Sequence, residues 1–242
     1  MKIIVHGSTG VMGQKLIDCI RRGGVHTVAA EVAIDAPEYT ALEQFSGEAD
    51  MVIDFSNHVT TLPLMAYCVA RRLPVVVCTT GQTEEEKACI RQAAEQIPVF
   101  SSGNMSVGIA LLAELARQTA KLFPDADIEI VEKHHNRKLD APSGTALMLA
   151  DAIREVRPEA TYQLGRAGHA KRTPNEIGIH ALRYGNEIGT HEVIVATANQ
   201  VITLTHESED RALFADGAIT AAEFLLKKAP GLYNMKDMMK EA

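Results

Sequence analysis

The chain has 242 residues, of which 46% are hydrophobic and 23% charged, and its formal net charge is -7 at pH 7. This composition excludes intrinsic disorder, and the acidic balance argues against a general nucleic-acid binder, which needs a broad basic surface. The four cysteines are scattered without a C-x-x-C pair, so we expect reduced thiols and no metal site. The opening residues are too short a run for a signal peptide, and no apolar run reaches the ~18 residues that span a bilayer. We therefore expect a cytoplasmic protein that binds neither nucleic acid nor membrane.

The N-terminal part of the chain alternates short apolar strands with amphipathic helices. The pattern predicts, in order, a strand at 2–6, a helix at 11–22, strands at 27–34 and 51–55, a helix at 60–71, a strand at 75–78, a helix at 84–96 and a strand at 99–100. Alternation of this kind is typical of a parallel sheet with helices on both faces. We predict an α/β, Rossmann-like sheet.

The pattern changes after Ser101. A long helix is predicted at 107–122, followed by strands at 127–132, 177–184, 192–196 and 201–206, with a loop excursion at 157–175. Successive strands without helices between them favour an antiparallel or mixed sheet, so we predict a second α+β domain. The last predicted helix, at 212–227, is followed by nothing strand-like and is expected to pack on the first domain.

A glycine-rich turn joins the first predicted strand to the first helix. Gly7, Gly10 and Gly13 form G-x-x-G-x-x-G, which lets the backbone approach a pyrophosphate at a helix start. A plain strand-turn-helix corner is the alternative. Asp35 stands 22 residues after Gly13 and is the candidate for the ribose hydroxyls, with Glu31 as its competitor. No arginine follows Asp35, so NADH is at least acceptable.

A basic island lies at 133–138 of this acidic chain, and it contains two histidines. Such an island points to a specific anion rather than a polyanion. Adjacent His134 and His135 would face opposite ways on a continuing strand, which suggests different roles. His134 can carry a proton near neutral pH, and Lys138 can neutralise a carboxylate.

A helix start follows directly, in the sequence from Asp140 to Thr145. Ser143 is a plausible N-cap, and Gly144 and Thr145 present backbone N–H groups that could hold an anion. The alternative is that the histidines are surface residues and Ser143 only caps a helix. That alternative does not explain why these residues occur together beside a nucleotide motif.

The string E-x-H-H-N-x-K-x-D-A-P-S-G-T-A at 132–146 resembles the signature of the dihydrodipicolinate reductase family. Further segments share the resemblance nearly end to end: G-S-T-G-V-M-G at 7–13, I-D-F-S at 53–56, T-T-G at 79–81, S-G-N-M-S-V-G at 102–108, I-G-I-H at 177–180, G-T-H-E at 189–192 and F-A-D-G-A at 214–218.

The resemblance implies reduction of 4-hydroxy-tetrahydrodipicolinate to tetrahydrodipicolinate with NADH or NADPH, a step of lysine and diaminopimelate biosynthesis. It implies a dinucleotide-binding domain at 1–106 and 209–242 and a substrate-binding domain at 107–208. It also implies a homotetramer formed through the substrate-domain sheets.

The resemblance also assigns roles to residues. His134 is implied as the proton-transfer group, Lys138 as the second catalytic group, His135 as a substrate contact, and Gly144 with Thr145 as the backbone grip on a substrate carboxylate. The implied nucleotide contacts are Gly7, Ser8, Thr9, Gly10, Val11, Met12, Cys78, Thr79, Thr80, Gly103, Asn104, Met105 and Ser106, beside Asp35 from the spacing. The chain departs from the family pattern at Cys78, where glycine is usual, and at Tyr184, in a loop that usually reads Arg-Gly-Gly.

Two other functions stay open. The same anion-binding helix start could serve an oxidoreductase that acts on another small dicarboxylate. The fold could also belong to a nucleotide-sensing protein without catalysis, although the intact set of His134, Lys138, Gly144 and Thr145 argues against it.

Overall fold

The computed structural model describes residues 1–241. The chain divides into two compact units, Met1–Ser106 with Arg211–Ala242, and Val107–Asp210. The sequence places the second boundary at 209, two residues before the structural one. Within the described residues, no helix combines the length and apolarity needed to cross a bilayer.

The first unit contains a six-stranded parallel sheet, whose strands are β1 (Lys2–His6), β2 (Thr27–Val32), β3 (Met51–Asp54), β4 (Val75–Val77), β5 (Pro98–Ser101) and β11 (Gly231–Tyr233). The strand order is β11-β5-β4-β3-β1-β2. Its helices are α1 (Val11–Gly23), α2 (Thr61–Arg71), α3 (Glu84–Ala94), α6 (Ala212–Leu225) and α7 (Met235–Lys240). The predicted Rossmann-like parallel sheet is confirmed.

The central strands are buried on both faces. Every residue of β3 and β4 is buried, as are four of the five in β1, and near-continuous apolar runs are what parallel strands between two helical layers require. Strand β1 pairs with β2 on one side and β3 on the other, so the strand order reverses there. In open sheets of this type, ligands bind outside the carboxyl ends of the strands at such a reversal.

The C-terminal end of the first unit corrects one prediction. The sequence suggests nothing strand-like after the last long helix, yet β11 pairs with β5 and extends the sheet, and α7 follows it. A three-residue edge strand in which Leu232 is 45% exposed carries no readable alternation. Helix α6 packs on α1, as expected.

The second unit contains a five-stranded mixed sheet, whose strands are β6 (Asp127–His134), β7 (Thr161–Leu164), β8 (Glu176–Arg183), β9 (Thr190–Ala196) and β10 (Val201–Glu207). The strand order is β10-β9-β6-β8-β7. The helices of this unit are α4 (Val107–Leu122) and α5 (Gly144–Arg154). Both helices contribute to a core against one face of the sheet, built on residues such as Ile128, Ile179 and Val193. The predicted second domain on a mixed sheet is confirmed.

Two details of this unit differ from the predictions. The loop excursion at 157–175 contains β7, an edge strand paired in parallel with β8, whose mostly exposed residues give no hydrophobic signal. Strand β6 continues two residues beyond the predicted end at 132, because its ladder with β8 runs as far as His134. That extension places His134 inside the strand.

Candidate active site

Loops that carry the proposed nucleotide residues follow the carboxyl ends of three strands in the parallel sheet. The glycine turn follows β1, residues 78–80 follow β4, and residues 103–106 lie just beyond β5. Asp35 lies three residues after β2, which ends at Val32 rather than at the predicted 34. Because the strands are parallel, all these loops lie at one edge of the sheet.

The glycine turn is shaped by close backbone contacts. Gly7 has φ +83°, and a Cβ there would lie 2.5 Å from the carbonyl oxygen of Phe55. A Cβ on Gly13 would lie 2.1 Å from the carbonyl oxygen of Gly7. Exposed Gly10 is the N-cap of α1 and supplies no side-chain cap. The helix therefore begins with N–H groups that no capping side chain covers, as an anion site requires.

Of the two candidate acids, Asp35 is the one tied to the glycine turn. The Thr9 hydroxyl donates to Asp35 Oδ1 at 2.5 Å. Glu31, in contrast, forms an ion pair with Arg21 of α1 at 2.5 Å. The structure thus brings Asp35, rather than Glu31, into contact with the turn.

Two hydroxyls in these loops suit a bound polar group. Ser8 Oγ and Thr79 Oγ1 are buried, and within residues 1–241 neither has a hydrogen-bond partner. Buried polar atoms are normally hydrogen-bonded, and a bound nucleotide would supply the partners that these two hydroxyls lack. Together with the uncapped start of α1 and the bare Gly7, they make the residues present suitable for a dinucleotide.

The departure from the family pattern at Cys78 does not interrupt the backbone pairing of the sheet. Cys78 N–H donates to the carbonyl of Asp54 at 2.9 Å, which continues the β3–β4 ladder. The thiol is buried, and burial raises the pKa of Cys78 well above its ordinary value. The side chain is therefore a neutral core group, and only the backbone of Cys78 is available to a ligand.

In the second unit, strand alternation places Glu132 and His134 on the same face of β6. Glu132 is 0% exposed and His134 is 9% exposed. His134 Nδ1 lies 2.5 Å from Glu132 Oε2. Lys133 points to the other face, where its ammonium donates to Glu192 at 2.6 Å.

Glu132 is the acceptor at the centre of this cluster. Arg183 from β8 donates to both carboxylate oxygens, at 2.8 and 2.7 Å, and the Ser143 N–H donates at 3.0 Å. Burial by itself would raise the pKa of Glu132, but the hydrogen bonds from His134, Arg183 and Ser143 outweigh it and lower that pKa to about 2. Glu132 is therefore ionised at neutral pH.

The loop after β6 holds the other predicted groups. His135 N–H donates to the carbonyl of Glu187 at 2.7 Å. Lys138 Nζ lies 2.9 Å from Asp140 Oδ1, and this ammonium lowers the pKa of the Asp140 carboxyl. Arg183 also donates to the backbone carbonyl of Asp140 at 2.7 Å, so one guanidinium joins this loop to Glu132.

The start of α5 adjoins the same cluster. Ser143 is the N-cap, and its Oγ accepts the Ala146 N–H at 3.2 Å while its own N–H contacts Glu132. A Cβ built on Gly144 would meet nothing within 4 Å. The first turn of α5 is thus open to a small anion next to the Glu132–His134 pair.

A second histidine, His191 of β9, packs against His134. The two rings form an edge-to-face pair with centroids 5.1 Å apart, and His191 Nε2 lies 3.2 Å from Ser143 Oγ. Burial, and then the nearby His134, lower the pKa of His191 to about 4. His191 is therefore neutral at neutral pH.

Sequence reasoning missed Glu132, Arg183 and His191 as members of the site. The signal for Glu132 was present, because residues two apart on a strand share a face. Arg183 and His191 required the register of β6 with β8 and β9, which pairs them with His134 and Glu132 respectively. No spacing within the chain gives that register.

No group of three or more histidine, cysteine, aspartate or glutamate side chains among residues 1–241 is arranged to hold a metal ion.

Comparison with known proteins gives consistent matches over both units. The family model described as dihydrodipicolinate reductase, N-terminus, matches residues 1–105, and the C-terminus model matches residues 108–239. The 4-hydroxy-tetrahydrodipicolinate reductase of Caldanaerobacter subterraneus subsp. tengcongensis is 46% identical, with 100% of this chain and 99% of the relative covered. That of Clostridium tetani is 42% identical, with 99% and 97% covered.

A solved structure shares the fold. Dihydrodipicolinate reductase from Paenisporosarcina sp. TG-14, in a dipicolinate-bound structure, superposes with a TM-score of 0.78 at 24% identity, with 97% of each chain covered.

Proposed function

Since the chain belongs to the dihydrodipicolinate reductase family, we propose that it reduces 4-hydroxy-tetrahydrodipicolinate to tetrahydrodipicolinate. The net reaction adds one hydride and one proton to the substrate and releases one water. The observation that carries the proposal is the Glu132–His134 pair beside the open start of α5. That arrangement offers a proton-transfer group next to a site for a carboxylate.

The cofactor is a pyridine nucleotide, and we place it at the carboxyl edge of the parallel sheet. The uncapped start of α1 and the turn from Gly7 to Met12 would hold the pyrophosphate. The loops at 78–80 and 103–106 would hold the remainder of the nucleotide. When bound, the reduced nicotinamide supplies the hydride.

The proton would pass through His134, with Lys138 as the second catalytic group. The Nδ1 side of the His134 ring is occupied by Glu132, which leaves Nε2 to exchange a proton with the substrate. Lys138 would exchange its contact with Asp140 for the substrate carboxylate, and its charge would favour the anion as well as the proton transfer.

Substrate carboxylates would be bound by two sets of groups. The N–H groups of Gly144 and Thr145 at the start of α5 would hold one carboxylate, because a helix N-terminus favours a negative charge. His135 would contact the substrate from the same loop as Lys138.

For the nucleotide, both NADH and NADPH fit the proposal, and Asp35 is expected to favour NADH. A carboxylate can accept a hydrogen bond from a ribose 2′-hydroxyl but repels a 2′-phosphate. Asp35→Ala should weaken NADH more than NADPH, and Glu31→Ala is the matched control because Glu31 pairs with Arg21. If Glu31→Ala, rather than Asp35→Ala, weakens NADH more than NADPH, the ribose contact belongs to Glu31.

We further propose a cytoplasmic homotetramer assembled through the open face of the five-stranded sheet. Opposite the core, this face presents partly exposed apolar residues, among them Val131, Leu182, Ile194 and Val201. Burial of such a face against copies of itself would stabilise an assembly. Light scattering coupled to size exclusion measures the mass directly, and a monomer would contradict this part of the proposal.

The central experiment follows the absorbance of the reduced nicotinamide with freshly generated substrate, in parallel with NADH and NADPH. His134→Gln should lower turnover by ~100-fold or more, since general acid–base catalysis is typically worth 10²–10⁴ in rate. Nucleotide affinity should change little. Normal turnover in His134→Gln would remove its catalytic role, and nucleotide binding without any reduction would favour a sensor.

A further inference from the structure

Glu132 is a buried carboxylate at the centre of the cluster, and the proposed function uses it only as the group that occupies Nδ1 of His134. We infer that Glu132 is a positioning residue, which holds His134 with Nδ1 as the donor so that Nε2 exchanges the proton. This inference rests on the proposed function and adds a residue to it.

The hydrogen bonds around Glu132 define which atom of His134 carries the proton. An ionised carboxylate can only accept hydrogen bonds, so the short contact between Glu132 Oε2 and His134 requires a proton on Nδ1. Arg183 donates one hydrogen bond to each carboxylate oxygen, and the Ser143 N–H donates another to Oε1. The carboxylate cannot rotate without breaking several of these bonds.

A glycine lies beside the other side of the His134 ring. A Cβ built on Gly189 would lie 3.0 Å from His134 Nε2. The turn between β8 and β9 therefore passes close to Nε2 with backbone alone. Nε2 is the ring nitrogen that faces away from the carboxylate.

The proposed proton transfer leaves the contact between Glu132 and His134 intact. Once Nε2 has donated its proton to the substrate, His134 is neutral and its Nδ1–H is still hydrogen-bonded to Glu132. The charged and titratable groups around the pair come from every neighbouring element. They are Arg183 of β8, His191 of β9, and Lys138 and Asp140 of the loop after β6. His206 of β10 lies beyond His191, whose pKa it helps to lower.

A purely structural role for Glu132, as the partner of Arg183, makes different predictions. A structural residue would affect stability but would leave the tautomer of His134 and the pH dependence of the rate unchanged. The readouts are therefore the histidine tautomer and the pH profile, beside kcat.

The tautomer can be read in the wild-type protein by two-bond ¹H–¹⁵N spectra of ¹⁵N-histidine-labelled enzyme. The His134 signal is assigned by its loss in His134→Gln. We expect neutral His134 to carry its proton on Nδ1. A neutral His134 with the proton on Nε2 would overturn the inference without any variant.

Glu132→Gln removes the charge with little change in volume. We expect kcat to fall on the order of 100-fold or more, while KM and the nucleotide dissociation constant change by less than about threefold. The pH–rate profile should also change, because the charge beside the ring that exchanges the proton is gone. Unchanged kcat with an unchanged pH profile would contradict the inference.

Glu159→Gln is the matched control in the same unit. Glu159 is exposed and belongs to neither the proposed site nor the proposed interface, so its replacement should leave both kcat and the His134 tautomer unchanged. An equal loss of kcat in this control would show that the effect of Glu132→Gln is not specific.

A second variant keeps the inference testable if Glu132→Gln does not fold. Glu132→Gln leaves Arg183 without a full counter-charge, which can be strongly destabilising. The double variant Glu132→Leu with Arg183→Leu removes both charges, and its readout is the tautomer rather than the rate. Retention of the Nδ1–H form there would overturn the inference. Absence of reduction in the wild type would refute the proposed function instead, while the spectra would still decide the tautomer.

Discussion

The ammonium of Lys138 is held by Asp140 at 2.9 Å in this structure, so a bound anion has to compete with a carboxylate already in place. We predict that Lys138→Ala lowers turnover and weakens pyridine-2,6-dicarboxylate about 10-fold, since a hydrogen bond to a charged group contributes ~1.5–3 kcal/mol. Inhibition constants measure the effect. Exposed Lys171 of the same unit provides the control Lys171→Ala, and an inhibition constant that does not change would remove Lys138 from the site.

Gly144 lies beside open space, in which a side chain would meet no other protein atom within 4 Å. Because an added Cβ meets nothing within 4 Å, Gly144→Val should fold normally, and the new side chain would occupy the space of the proposed carboxylate. We predict a strongly raised Michaelis constant. The nucleotide dissociation constant, measured calorimetrically without substrate, should stay within about threefold, a shift under ~0.7 kcal/mol. Normal substrate binding would mean that the glycine serves only to start α5.

At the scale of elements, the packing of α6 is set by a glycine. A Cβ on Gly217 would lie 1.8 Å from the carbonyl oxygen of Met105, which belongs to one of the proposed nucleotide loops. Gly217→Ala should therefore destabilise the protein by ~1–3 kcal/mol, the usual cost of overpacking, and weaken nucleotide binding. Urea unfolding and calorimetry measure the two effects.

The control for that change lies in α1. A Cβ on Gly23 would meet nothing within 4 Å, so Gly23→Ala should leave stability unchanged or slightly higher, because alanine favours the helix. Equal stability of the two variants would show that α6 can shift away from Met105 at no cost.

Strand alternation and helix capping explain much of the site at this scale. The two-residue period of β6 brings Glu132 beside His134, and the N-cap of α5 brings Ser143 to the same carboxylate. The apolar alternation predicted a strand only as far as 132, so the backbone conformation of His134 was not predicted. The ladder with β8 extends the strand through His134.

For the whole molecule, the pH dependence of stability should carry the signature of His191. Its pKa is lowered to about 4 in the folded protein, from an ordinary value of 6.5. The unfolded chain therefore binds a proton at higher pH than the folded one, and stability falls as pH decreases from 6.5 toward 4. From pH 7 to pH 5 this group should remove about 2 kcal/mol.

Urea unfolding of the wild type and of His191→Gln at both pH values tests this expectation. The variant should lose less stability between pH 7 and pH 5 than the wild type, whatever its stability at pH 7. His169→Gln, at an exposed position, should behave like the wild type. A variant whose loss equals that of the wild type would show that His191 does not set the pH dependence.

Local rules of alternation, turn geometry and capping were enough to predict the class of fold, the glycine turn and the helix start after Pro142. The sequence also pointed to His134 and Lys138 as candidates. The contact of Asp35, rather than Glu31, with the glycine turn is visible only in the folded chain, and so is the grouping of Arg183 and His191 with Glu132 and His134. These contacts depend on how loops fold and on strand register, and short edge strands such as β7 and β11 depend on a neighbour to pair with. Such pairing is a property of the assembled sheet, and no stretch of sequence encodes it alone.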